Sequence, residues 1–107
     1  MIISMAIQDK FNKSNVIYKI TKGIDLRGST LTIPAGCILD FQGGSIFNGT
    51  IVLDNTKILP QGCNIADYIT ATISGTYKIG QCLFDVSLGK PKWWIGTKWV
   101  DATGADV

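Results

Sequence analysis

From Val16 onward apolar and polar residues alternate in short runs, "VIYKI", "STLTI", "CILDF", "GSIF", "GTIVL" and "TKIL", separated by Gly, Pro, Asn and Asp. A period of two predicts strands and turns through Leu59. The apolar anchors Leu31, Leu39, Ile46, Ile51 and Ile58 recur at gaps of eight, seven, five and seven residues. This is tighter than the ~8–12 residues between strands of a sandwich. It suits a parallel β-helix, in which a turn takes roughly twenty residues in three short strands and the turns stack at ~4.8 Å. Leu31, Ile33, Leu39, Phe41, Ile46, Ile51, Leu53 and Ile58 are then the inward core, and Thr32, Ile38, Asp40, Val52 and Lys57 point outward. Ile38 and Val52 are too apolar for a wet face, so part of the outside is expected to be covered.

Gly43-Gly44 and Asn48-Gly49 suit corners where φ turns positive, and "IPAG" at 33–36 is a further turn opened by Pro34. An antiparallel meander uses the same signals, since Asn-Gly is also the strongest short hairpin cue. The solenoid is the favoured reading. The roughly thirty residues from Gly28 to Leu59 make only about one and a half turns, where at least three repeats are needed for stability. Open edges recruit other strands, which predicts a homotrimer closing one prism, or docking onto a larger assembly.

The flanks read differently. Residues 4–15 predict one short helix capped by Ser4, with Ile7 and Phe11 on one face, too short to stand without something to dock on. Residues 60–83 begin as a loop and continue as a hairpin or pair of strands in "ITATISGTYKI". At the C-terminus, Lys92 to Ile95 and Lys98 to Asp101 predict a hairpin around Gly96-Thr97, with Trp94 opposite Trp99. The domain reading is an N-terminal docking segment at 1–15, a β-helical shaft at 16–59, and a distal β-rich module at 60–107.

Composition narrows the chemistry. The 107 residues are 46% hydrophobic and 17% charged, suited to one small folded domain and broken too often for a membrane span. Ten cations against eight Asp give a net charge of +2, scattered along the chain, which disfavours nucleic acid. There is no His and no Glu, which removes the usual proton-transfer groups near neutral pH. Cys37, Cys63 and Cys82 lack metal or redox spacing and read as small buried hydrophobes in a reducing cytoplasm. The N-terminus has no basic region preceding an apolar run, so synthesis in the cytoplasm without export is expected.

Residues 15–58, carrying "IYKI", "IPAGCILDFQGGS", "NGTI" and "NTKI", resemble the β-helical, pectate-lyase-like modules of fibre and adhesin proteins from gut Bacteroidales and their phages. Residues 83–107, "LFDVSLGKPKWWIGTKWVDATGADV", resemble the short C-terminal module of phage tail-fibre and virion-associated proteins, including those of crAss-like phages. The chain departs from that second pattern at Ile95, where Asn is usual, and at Leu83, where an aromatic is usual. The resemblance implies a structural virion protein, a trimeric fibre of the head or tail.

Sugar-cleaving solenoids need clustered acids, with calcium in lyases or as a carboxylate pair in hydrolases. Asp40 and Asp54 are the only acids in the best-read coils, fourteen residues apart and on different faces. Arg27, the only Arg, is expected to pair with Asp25 on the surface. The expectation is therefore a non-enzyme with no cofactor and no metal. Its fold class is all-β: a short β-helix or β-prism shaft plus a C-terminal hairpin module, completed by trimerisation. Ile2, Ile3, Met5, Ile7 and Phe11 are expected to dock it to a capsid or tail protein, so that the protein, made in the host cytoplasm, resides in the virion. Trp93, Trp94 and Trp99 are candidate glycan or trimer contacts, with at least two of them expected to be buried. The rival reading is a glycan- or receptor-binding adhesin module built on those tryptophans. A polysaccharide lyase fragment ranks third.

Overall fold

In a computed structural model describing residues 7–107, the chain is all-β, with ten strands and one 3-10 turn at Ile65–Asp67. The strands are β1 (Ile17–Ile20), β2 (Gly23–Asp25), β3 (Thr30–Thr32), β4 (Ile38–Phe41), β5 (Ser45–Phe47), β6 (Thr50–Leu59), β7 (Thr72–Tyr77), β8 (Cys82–Asp85), β9 (Lys90–Trp94) and β10 (Trp99–Val100). Residues 7–9 are helical. Ile2, Ile3 and Met5 lie outside the described residues.

Through β7 every strand pairing is parallel, so the meander alternative does not apply. β1 pairs with β4, and β4 with the end of β6; β2 pairs with β5; β3 pairs with the start of β6, which pairs in turn with β7. Ile17 faces Ile38, 21 residues on, and Ile38 faces Lys57, 19 further. Thr30 faces Thr50, 20 residues on, and Thr50 faces Thr72, 22 further. A period near twenty returns the chain to the same face, one strand spacing along the stack. An isolated parallel bridge from Ile46 to Ile69 adds a third level to the β2–β5 face.

The stack is thus three tiers deep, not one and a half. Coil counting undercounts for two reasons. β2 has only Ile24 as an inward apolar residue, and β7 carries Ser74 and Gly75 in its centre, so neither advertises a complete strand. The parallel pairing does not stop at Leu59 but continues through β7, which is one strand rather than a hairpin.

Parity within the strands builds the core. Tyr18, Leu39 and Ile58 align across one face, Leu31, Ile51 and Ile73 across another, and Ile24, Ile46 and Ile69 across the third. The eight predicted core residues are each at most 5% exposed. Ile38 and Val52 on the outer faces are half-buried within the chain itself.

β6 reads in the sequence as two runs and folds as one strand bent around a corner. Asn55 takes φ +52° there and the register slips between Leu53 and Thr56. Thr56 is fully buried, its hydroxyl accepting the Asp54 N–H at 3.0 Å. Gly43 and Asn48 have positive φ, as corners require, but Gly44 does not. Gly44 is there for close approach: a Cβ would lie 2.6 Å from the carbonyl oxygens of Ile20 and Lys22.

Arg27 forms no ion pair with Asp25. The Asp25 carboxylate instead accepts the Arg27 main-chain N–H at 2.8 Å and the Asn48 amide at 2.9 Å. Arg27 and Asn48 both take positive φ, so the acid ties two successive corners together and its pKa is lowered by those donors.

Candidate functional site

Two regions carry side chains not consumed by the core: the distal sheet and the first tier. In the distal sheet β8, β9 and β10 are antiparallel, with Trp99 opposite Trp94 and Val100 opposite Trp93. The predicted Trp94–Trp99 pairing forms, with ring centroids 5.3 Å apart at 61°. Tyr77 of β7 closes the cluster, 5.1 Å from Trp99 and 6.3 Å from Trp94, both edge-to-face. Burial pushes its phenol up to about 12. Lys92 lies 4.8 Å over the Trp99 ring. None of the three tryptophans is fully buried; all are half-buried. The expected burial of two is not met within the single chain.

Beside the aromatic corner, two acids organise the turns. Asp85 accepts the N–H groups of Ser87 and Leu88, both at 3.1 Å, and the Ser87 hydroxyl at 2.7 Å, and it pairs with Lys92 at 3.1 Å. Asp101 accepts the Thr103 N–H at 2.9 Å, the Thr103 hydroxyl at 2.6 Å and the Ala105 N–H at 3.1 Å, and pairs with Lys90 at 3.1 Å. The donors around Asp85, Ser87 and Lys92 first, hold its carboxyl down at about 2, and those around Asp101 hold it lower still. The fragments "FDVSLGK" and "WVDATGA" are therefore turn-forming elements. Gly96, at φ +106°, supplies the positive φ of the β9–β10 turn, so that turn does not depend on the residue at Ile95.

Glutamine amides close the tier stack at both ends. Gln8 donates to the Thr32 C=O at 2.8 Å and accepts the Thr32 N–H at 2.9 Å, the two bonds a neighbouring strand would make to β3. Gln81 does the same at the far end, accepting the Ile58 N–H at 2.6 Å and donating to the Ile58 C=O at 3.0 Å. Gln81 is 1% exposed. Neither residue was among the sequence candidates, because an isolated Gln reads as a surface residue.

The docking candidates separate. Phe11 is 4% exposed, in the core, with its ring 4.8 Å from that of Tyr18, and Ile7 packs against the same cluster. Phe11 caps the first tier with almost no surface left open, and Ile7 is half-buried beside it. An amphipathic segment with no visible partner in the sequence has the character of a docking arm, whereas here its partner is the open end of the chain's own core. Cys37 and Cys82 are buried, Cys63 is half-buried, and all three are free thiols. Among the described residues no group of three His, Cys, Asp or Glu side chains is placed to hold a metal, and no helix is long and apolar enough to cross a membrane.

Comparison with protein-family models, curated proteins and solved structures finds no match to this chain.

Proposed function

We propose that this is a structural virion protein, a homotrimeric head or tail fibre or decoration protein whose shaft is a short β-helix of three turns. The observation that carries the reading is the closed parallel stack: a period near twenty residues on three faces, an aliphatic interior, and ends covered by Gln8 with Phe11 and by Gln81. Such a body serves as a rigid spacer. The resemblance of residues 15–58 and 83–107 to fibre modules supplies the virion context.

Because the stack closes its own core, trimerisation rests on the outer faces rather than on an unfinished interior. Ile17 is 59% exposed, and Phe84, Val86 and Leu88 stand out together around the β8–β9 turn. Apolar groups left so open on one small chain are typical of subunit contacts. Light scattering of the purified protein should give three times the chain mass of 11.6 kDa; a stable monomer at high concentration would refute the trimer. Attachment falls to Ile2, Ile3 and Met5, and changing them to Ser should abolish incorporation into particles without altering the trimer.

The half-exposed tryptophans support a second reading, glycan or receptor binding by the distal sheet. Trp94 and Trp99 spend their contacts on each other, Tyr77 and Lys92, whereas Trp93, on the opposite side of β9, makes no ring–ring contact. Glycan-array binding that disappears in Trp93→Ala with oligomeric state unchanged would favour this reading.

A further inference from the structure

The geometry points to the free edge of β1 as a strand-addition site for an extended acidic peptide of a partner protein. Main-chain parity comes first. The Ile38 N–H donates to the Val16 C=O and the Gln42 N–H to the Ile20 C=O. In a parallel pair alternate residues bond to alternate sides, so residues 16, 18 and 20 face β4, while the N–H and C=O groups of Ile17 and Lys19 face away from it. Among the described residues no other strand pairs with β1.

The other two edges of the first tier are less suited to such a guest. At β3 the Gln8 amide already occupies the N–H and C=O of Thr32. β2 is only three residues long and ends at Asp25, an exposed carboxylate held by the Arg27 N–H and the Asn48 amide, so it offers a shorter edge with an acid at its end. Among the described residues only β1 combines an open main chain with a groove, a cavity of about 320 Å³ whose walls include Lys10, Phe11, Tyr18, Lys19 and Lys22.

Charge identifies the guest. Among the described residues no acid lines this groove and none of Lys10, Lys19 and Lys22 has a carboxylate within 4.0 Å; Asp40, in register with Lys19 on β4, is held instead by the Gln42 amide at 2.6 Å. Lysines on an edge repel a second copy of the same edge, which excludes self-pairing. The same lysines favour a strand with acids at alternate positions, placed against Lys19, while its main chain takes the free groups of Ile17 and Lys19. Tyr18 and Ile24, both half-buried, supply an apolar wall for the intervening side chains.

The test uses the full chain and a short fluorescent peptide of alternating Glu and Val, followed by anisotropy. Saturable binding is expected, weakened by roughly tenfold or more in the Lys19→Glu, Lys22→Glu double variant and lost when the peptide is N-methylated throughout. Circular dichroism of the variant should match that of the parent, because both side chains are exposed. The inference is overturned if the acidic peptide fails to saturate, if the N-methylated peptide binds equally well, or if oligogalacturonate binds in its place. The site depends on the first tier alone, so a monomer that binds the peptide would refute the trimer and leave the site standing.

Discussion

Gly44 sits where a corner of one tier crosses the carbonyls of the tier before it, and a methyl group there has no space on the side of Ile20 or Lys22. Both obstructing atoms are main chain and cannot rotate away. Gly44→Ala is therefore expected to cost about 1–3 kcal/mol, read as a lower urea midpoint. Phe11→Ala should cost more, ~3–5 kcal/mol, because it opens a cavity at the end of the core. That result would distinguish a cap from a docking side chain, whose loss leaves stability unchanged. The two glutamines should behave unequally although each pairs with the N–H and C=O of one strand residue. Gln81→Leu strands the buried main-chain groups of Ile58, at ~1–3 kcal/mol for each group left unpaired. After Gln8→Ala, water can reach Thr32, which is exposed, so the loss should stay within about 1 kcal/mol. Equal midpoints for the two variants would argue against the far end being the drier one.

The distal sheet is held together differently from the tiers, with few buried aliphatics and several charge-assisted bonds. This makes it the more acid-sensitive part of the chain, with two carboxylates held down by their donors, Asp85 and Asp101, against Asp25 in the tiers. The Asp85 carboxyl lies at about 2 when folded, against an ordinary value of 3.8. A depressed carboxylate adds stability that is fully present above the unfolded value and is lost as pH falls through the folded one. The Ser87 and Lys92 bonds should therefore weaken between about pH 4 and pH 2, and the Asp101 turn at still lower pH. Tryptophan fluorescence, which reports Trp94 and Trp99 beside Lys92, should follow that change. In Lys92→Met the Asp85 carboxyl returns toward its ordinary value, so the transition should move to higher pH; an unmoved transition would remove Asp85 as its cause. The turns of this element were only partly legible. Gly96 and the Trp94–Trp99 pairing follow from local pattern, whereas the Lys90–Asp101 and Lys92–Asp85 partnerships need the register of three strands before they exist.

Three tiers, two capped ends and one antiparallel sheet give a body of 49 × 24 × 21 Å, about twice as long as it is wide. Its inward residues were readable because inward and outward positions alternate within each strand, a property each short run carries alone. Leu31, Leu39, Ile46, Ile51 and Ile58 mark the interior without any knowledge of what they touch. The β character from Val16 onward, the corners at Gly43 and Asn48 and the final hairpin follow from the same local chemistry. Tertiary packing decided the remainder. It placed Ile69 and β7 beneath the second tier, so that the core closes within one chain. It turned Ile7 and Phe11 inward as a lid, and it gave Gln8 and Gln81 strand-like partners 24 and 23 residues away. No local pattern encodes these choices, because a side-chain amide or a short apolar segment has the same character in solvent as at an open strand edge. Only the assembled stack creates the unpaired N–H, C=O and apolar surface that gives each of them its place.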